Sequence, residues 1–249
     1  GDEFMDINNA KIIFKDYVSQ YDSNDKRIIQ KYEHSLRVCD LCKKIATYLN
    51  LSDDKILIAE FIGLLHDFGR FEQIKRYNTY NDRISVDHAK LGMDLLEEFG
   101  FDKFVKDKKT QEIIKIAVLN HNQTFIDDNL TEEELLFSQI IRDADKLDIF
   151  YIWKDMEIDK VEGKIDDKIY NRMLTCKYDY ENINNKLDYY VLLIGFVYDI
   201  NFSWTIRYLK ENKYFNTIID KVIEKNPHES FRLNKIKETI NQYIESRDA

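Results

Sequence analysis

The stretch FIGLLHDFGRFEQ, residues 61–73, decides how the chain is read. An apolar run ends in His66 and Asp67, followed at once by Gly69, Arg70 and Glu72. An imidazole and a carboxylate gain nothing from burial alone, and an unpaired buried charge is costly. Their position at the end of such a run implies something for them to bind. If the run is a helix, its C-terminus carries the negative end of the dipole, which favours a cation.

Outward from this stretch, helical periodicity dominates. Within 25–50, Leu36, Cys39, Cys42, Ile45, Ala46 and Leu49 form one apolar stripe. Ser52 before two aspartates opens a helix that runs to about His66. Further helices are expected over 85–99, stopping at Gly100, and over 109–120. Thr131 with Glu134 forms a capping box for another, reaching about Ile149. Helices then follow over 167–176, 185–209, 213–225 and 229–246, with the charged segment 155–168 as a long connection. No strand-length alternation occurs, and 7 glycines and 1 proline are too few for the turns of an all-β fold. The expected fold class is all-α: a helical core over 5–150 and a helical C-terminal extension over 151–249, packed on the core as one structural unit.

A formal charge of −9 argues against a broad nucleic-acid-binding surface and leaves room for a small phosphate compound in a local basic pocket. Cys39, Cys42 and Cys176 are an odd, sparse set, so free thiols in a reducing compartment are expected. With no signal-peptide pattern, the expected location is cytoplasmic; residues 1–4, before Met5, are read as a remnant outside the fold. The richest apolar stretch, YYVLLIGFVYDI (189–200), is too short to span a bilayer. The CDLC run (39–42) lies on the apolar stripe and reads as core packing rather than half a zinc site. His228, at a helix start far from the other histidines in sequence, reads as a surface residue.

Four of the five histidines, His34, His66, His88 and His121, fall in the first half, each on or at the end of an expected helix. His34 is in register with Val38, Leu41 and Ile45; His121 follows Ile114 and Ala117; Asp145 follows Ser138 and Ile141. Four helices can therefore aim ligands at one point inside a bundle. Histidine with carboxylate suits Mn, Fe, Co, Ni or Zn. Periodicity alone reaches no further than a helical protein with inward histidines.

The ordered elements YEHSLRV, LLHDFGR, DHAKLG, LNHN and RDADKLD, over about 25–150, resemble the HD-domain superfamily of metal-dependent phosphohydrolases. The resemblance implies an all-α bundle and a metal set of His34, His66, Asp67 and Asp145. Asp143 is then a supporting residue, although a slipped alignment would exchange it with Asp145. His88 and His121 resemble the extra histidines of two-metal members, so they either hold a second ion or contact phosphate. That subgroup often carries an adjacent His-His pair where this chain has Asn120-His121-Asn122, and a glutamate where it has Gln30.

The implied reaction is hydrolysis of a phosphate ester, nucleotide-like by preference, through a metal-activated water. Asp67 would bind metal and orient that water, with Arg70 and Lys146 supplying positive charge to the transition state. Arg37, Arg70, His88 and His121 would contact substrate. The polar connection KRYNTYNDRISVDH (75–88) would lie over the site, with Arg76, Tyr77, Tyr80 or Arg83 reading the substrate, or be an ordinary exposed link. Signatures of the alarmone, nucleotidase and cyclic-dinucleotide branches are absent, so the substrate is no narrower than a small phosphorylated compound. The competing reading is a metal-holding regulatory module that binds a nucleotide without hydrolysing it. The C-terminal helices would form core, an oligomer interface or a pocket wall.

Overall fold

The computed structural model describes residues 5–177 and 183–248, so residues 1–4, read above as a remnant, lie outside it. Among the described residues the secondary structure is helical, without a strand. The chain divides into two compact units, 1–145 and 146–249.

The first unit begins with α1 (Ile7–Val18), α2 (Lys26–Tyr48), α3 (Asp53–Leu65) and α4 (Arg70–Tyr77). It continues with α5 (His88–Phe99), α6 (Lys108–His121) and α7 (Glu132–Trp153), the last of which runs past the unit boundary. Short side chains start most of these helices by accepting orphan amides. Asp25, Ser52, Asp87 and Asp107 cap α2, α3, α5 and α6. At α7, Thr131 and Glu134 bond reciprocally: the Thr131 amide donates to Glu134 at 2.8 Å and the Glu134 amide to Thr131 Oγ1 at 3.2 Å. The expected capping box is present.

Two helices of this unit have no counterpart in the sequence reading. In α1, Ala10, Phe14, Tyr17 and Val18 are buried at helical spacing behind an Asp6 cap. Tyr17 stacks on Phe68 with ring centroids 3.9 Å apart, and Phe14 meets Phe68 and Phe71 at 6.3 and 5.9 Å. Phe14, Phe68 and Phe71 are fully buried, each contributing about 1.5–3 kcal/mol. These rings pin the turn that follows Asp67. Helix α4 starts from Gly69 without a side-chain cap.

Two glycines let backbones touch here. A Cβ at Gly69 would stand 2.2 Å from the His88 carbonyl oxygen and 2.6 Å from the Gly92 nitrogen. The turn carrying His66 and Asp67 therefore abuts the first turn of α5, which carries His88.

The second unit contains α8 (Asp167–Leu174), α9 (Lys186–Gly195), α10 (Ser203–Glu211), α11 (Tyr214–Lys225) and α12 (Ser230–Arg247). The single helix expected over 185–209 is a correction: it breaks after Gly195 into a 3-10 turn, Phe196–Asp199, and restarts at Ser203. The α9 segment is buried almost all round, so its periodicity carried no mark of the break. The 154–166 connection is pinned by side chains. Asn226 accepts from the Val161 amide at 2.7 Å, Glu229 from Ile165 at 3.1 Å, and Asp188 from Asp166 at 2.8 Å.

Cys39 and Cys42 are buried on α2, Cys176 is exposed, and all three are free. His228 is exposed, as expected. Among the described residues no helix is long and apolar enough to cross a membrane.

Candidate metal centre

Five elements of the first unit converge. His34 comes from the middle of α2, His66 caps the C-terminus of α3, and Asp67 follows it. His88 is the first residue of α5, His121 the last of α6, and Asp145 lies in α7. The four histidines and Asp67 are buried. The sequence-expected residues thus come together, separated in the chain by up to 111 positions.

Their donor atoms form two groups. In the first, His34 Nε2 lies 3.2 Å from His66 Nε2, 3.4 Å from Asp67 Oδ2 and 3.0 Å from Asp145 Oδ1. His66 Nε2 is 3.3 Å from each of the same two carboxylate oxygens. In the second, His88 Nε2 lies 3.1 Å from Asp67 Oδ1 and 3.1 Å from His121 Nε2, and His121 Nε2 is 3.5 Å from Asp67 Oδ1. Two ligands each about 2.1 Å from one cation stand about 3.0 Å apart at a right angle and about 3.4 Å apart at the tetrahedral angle. Both groups have these edge lengths, so the donor set fits a divalent cation in each. Asp67 belongs to both groups, turning Oδ2 to the first and Oδ1 to the second.

The imidazoles are aimed by their other nitrogens. His66 Nδ1–H donates to the Gly63 carbonyl at 2.7 Å, and His121 Nδ1–H to the Val118 carbonyl. His88 Nδ1–H donates to Asp82 Oδ2 at 2.6 Å. Each bond leaves Nε2 facing the site and fixes the ring.

Electrostatics separate the histidines. Burial pulls His66 down, but Asp67 and Asp145 outweigh it and lift its pKa to about 9. His121 falls to about 4, because burial and the nearby His88 and His66 outweigh Asp67 alone. Burial opposes ionisation of Asp67 and Asp145, yet surrounding imidazoles, and for Asp67 also Lys31, hold both well below the usual carboxylate range.

Other expected residues are placed less uniformly. Arg70 Nη1 is shared among Gln73 Oε1, the Tyr80 carbonyl and Asp82 Oδ1 at 2.8, 2.6 and 3.0 Å. Its Nε is buried without a hydrogen-bond partner, 3.8 Å from Asp67 Oδ1. Lys146, expected at the reaction centre, pairs its ammonium with Asp199 at 2.8 Å. Arg37 is half-buried on α2, and Asp143 is buried but outside the donor groups.

The 75–88 connection is partly helical: Arg76 and Tyr77 end α4, and Arg76 pairs with Glu72. Tyr80 donates to the Arg27 carbonyl at 2.8 Å, its ring lying near both Lys31 and Arg70, while Arg83 is exposed.

Three residues near the site escaped the sequence reading. Lys31, one turn before His34, sits 3.5 Å from Asp67 Oδ2. Arg142 donates to the carbonyls of Asn120, Gln123 and Thr124 and braces the turn after His121. Asp82 holds His88. The helical offset of Lys31 from His34 was a usable signal; Asp82, one acid in a polar connection, had none.

Residues 32–149 match the model of the HD domain family. That segment contains every donor of both groups. Comparison with curated proteins and with solved structures returned no match.

Proposed function

We propose that the protein is a metal-dependent phosphohydrolase acting on a small phosphate ester, nucleotide-like by preference. The observation supporting this most directly is the pair of donor groups sharing Asp67. A merely structural cation needs one closed set of ligands, whereas two adjacent positions bridged by one carboxylate, the second with only three protein donors, suit clamping a phosphoryl group. His34, His66, Asp67 and Asp145 would hold one divalent ion, and Asp67, His88 and His121 another. When bound, such ions supply Lewis acidity toward a phosphoryl oxygen and lower the pKa of water toward neutrality.

The chain's own residues do the remaining work. Asp67 spends one oxygen on each group and fixes their separation. The buried Arg70 Nε–H is an unspent donor beside Asp67, suited to an equatorial oxygen that gains charge in the transition state. Lys31, partly exposed beside the same carboxylate, adds positive charge at the rim. Asp82, Gln73 and Tyr80 hold the Arg70 side chain from behind.

The test is ion content of the purified protein, followed by phosphate release from a panel of nucleotides and phosphomonoesters with Mn, Co, Ni and Zn. Turnover with at least one pair is expected, and it disappears in His66→Ala/Asp67→Ala. Ion uptake with binding but no release across the panel would favour the regulatory-module reading. No uptake of any ion would sink both.

A further inference from the structure

Asp82 lies in a 3-10 turn of the 78–87 connection, outside both donor groups. Its two oxygens nevertheless gather donors from three elements around the site. Oδ1 accepts from Arg70 Nη1 at 3.0 Å and from Gln73 Nε2 at 2.8 Å, both on α4. Oδ2 accepts from His88 Nδ1 at 2.6 Å, the His88 amide at 3.3 Å, and Asn122 Nδ2, just beyond α6, at 3.2 Å.

The contrast with His66 and His121 gives this its meaning. Those two are steered by carbonyls of their own helices, three residues back, a bond that the helix itself supplies. His88 opens its helix, so it has no carbonyl of its own helix three residues back to accept from Nδ1. Its orienting group has to come from another segment, and it is an ionised carboxylate. A carboxylate fixes the Nδ1–H tautomer and makes Nε2 a stronger donor than a carbonyl partner does.

We infer that Asp82 is a positioning residue that makes His88 competent as a ligand, so that filling of the second cation position, and not the first, depends on the Asp82 carboxylate. This rests on the metal-dependent reading above.

The experiment is Mn²⁺ binding to the full chain, followed by calorimetry and by the electron paramagnetic resonance of coupled ions, for wild type, Asp82→Ala and Gln73→Leu. Gln73→Leu removes another anchor of the same connection, since Gln73 Nε2 also donates to Ser85 Oγ, but leaves the His88 bond in place. Wild type is expected to bind two ions with a coupled signal. Asp82→Ala should keep the first ion and weaken the second about 10–100-fold, abolishing the coupling. Gln73→Leu should keep both.

Equal loss of the second ion in both variants would reduce Asp82 to a brace of the loop and overturn the inference. So would two tightly bound, coupled ions in Asp82→Ala. If Asp82→Ala fails to fold, the Zn²⁺-loaded wild type decides by ¹⁵N NMR: an Nδ1–H on His88 coupled to a carboxylate supports the assignment, and an Nε2–H tautomer ends it. A wild type that binds no ion at all points instead to failure of the metal reading itself.

Discussion

Two sets of buried polar side chains, one in each unit, serve different ends. In the second, Asp188, Asn226 and Glu229 are buried and turn to main-chain amides: Asp166 and Asn184, Val161, and Ile165. In the first, His34, His66, Asp67, His88 and His121 are equally buried and turn their inner faces to one another. A buried polar group that satisfies backbone is a brace whose partner is always present. A buried cluster of titratable groups whose donor atoms lie within 3.0–3.5 Å of one another has the composition and spacing of a ligand set. Equal burial thus separates into structure and site by asking what each group faces.

The sharpest way to break this contrast is to remove Asp67, the member common to both groups. Asp67→Ala should abolish binding of both ions and cost about 10³-fold or more in turnover, several kcal/mol of transition-state stabilisation, as read by calorimetry and phosphate release. The mirror experiment is Asp188→Ala. It should leave ion stoichiometry intact while lowering unfolding stability by about 1–3 kcal/mol for each amide it orphans, as read by urea denaturation. Lost ion binding in Asp188→Ala would erase the distinction.

A smaller effect is a pH dependence carried by His66. Its pKa rises on folding from 6.5 to about 9, so in the ion-free protein its contribution to stability is complete below about 6.5 and lost as pH climbs through 9. A divalent ion must displace that proton, so its affinity should grow with pH up to about 9, by at most about tenfold per unit. Thermal shifts produced by Mn²⁺ at pH 6.5 and 8.5 check this, the larger shift being expected at 8.5. The smallest change expected is from Lys31→Met. Removing a partly exposed cation 3.5 Å from Asp67 should tighten divalent-ion binding by at most about fivefold, measured by competition with a chelating dye.

Much of this site was legible in the sequence because its residues are tied to local rules. Ser52 and the Thr131/Glu134 pair mark helix starts by short-range bonding, and His34 and Asp145 sit in register with apolar neighbours, whereas the helix expected from 85 begins at His88 behind an Asp87 cap. Helix α1 was legible in principle, from Asp6 and the spacing of Ala10, Phe14, Tyr17 and Val18. Helix α4 was not, because it begins at a glycine without a cap, straight out of the His-Asp turn. Asp82 acquires its importance from partners 6 to 40 positions away, which no window of sequence displays. Lys146 shows the converse: neighbouring Asp145 in sequence did not prevent it from pairing with Asp199.

The bare contact between Gly69 and Gly92 has a consequence for engineering. Coordination tolerates about 0.2 Å of error in a bond length, whereas a single methyl at Gly69 would meet the His88 carbonyl at 2.2 Å and drive the two backbones apart by more than that. Selection for new substrates would therefore have to hold both positions constant and diversify the rim instead, since the spacing of the inner ligands is inherited from two main chains in direct touch.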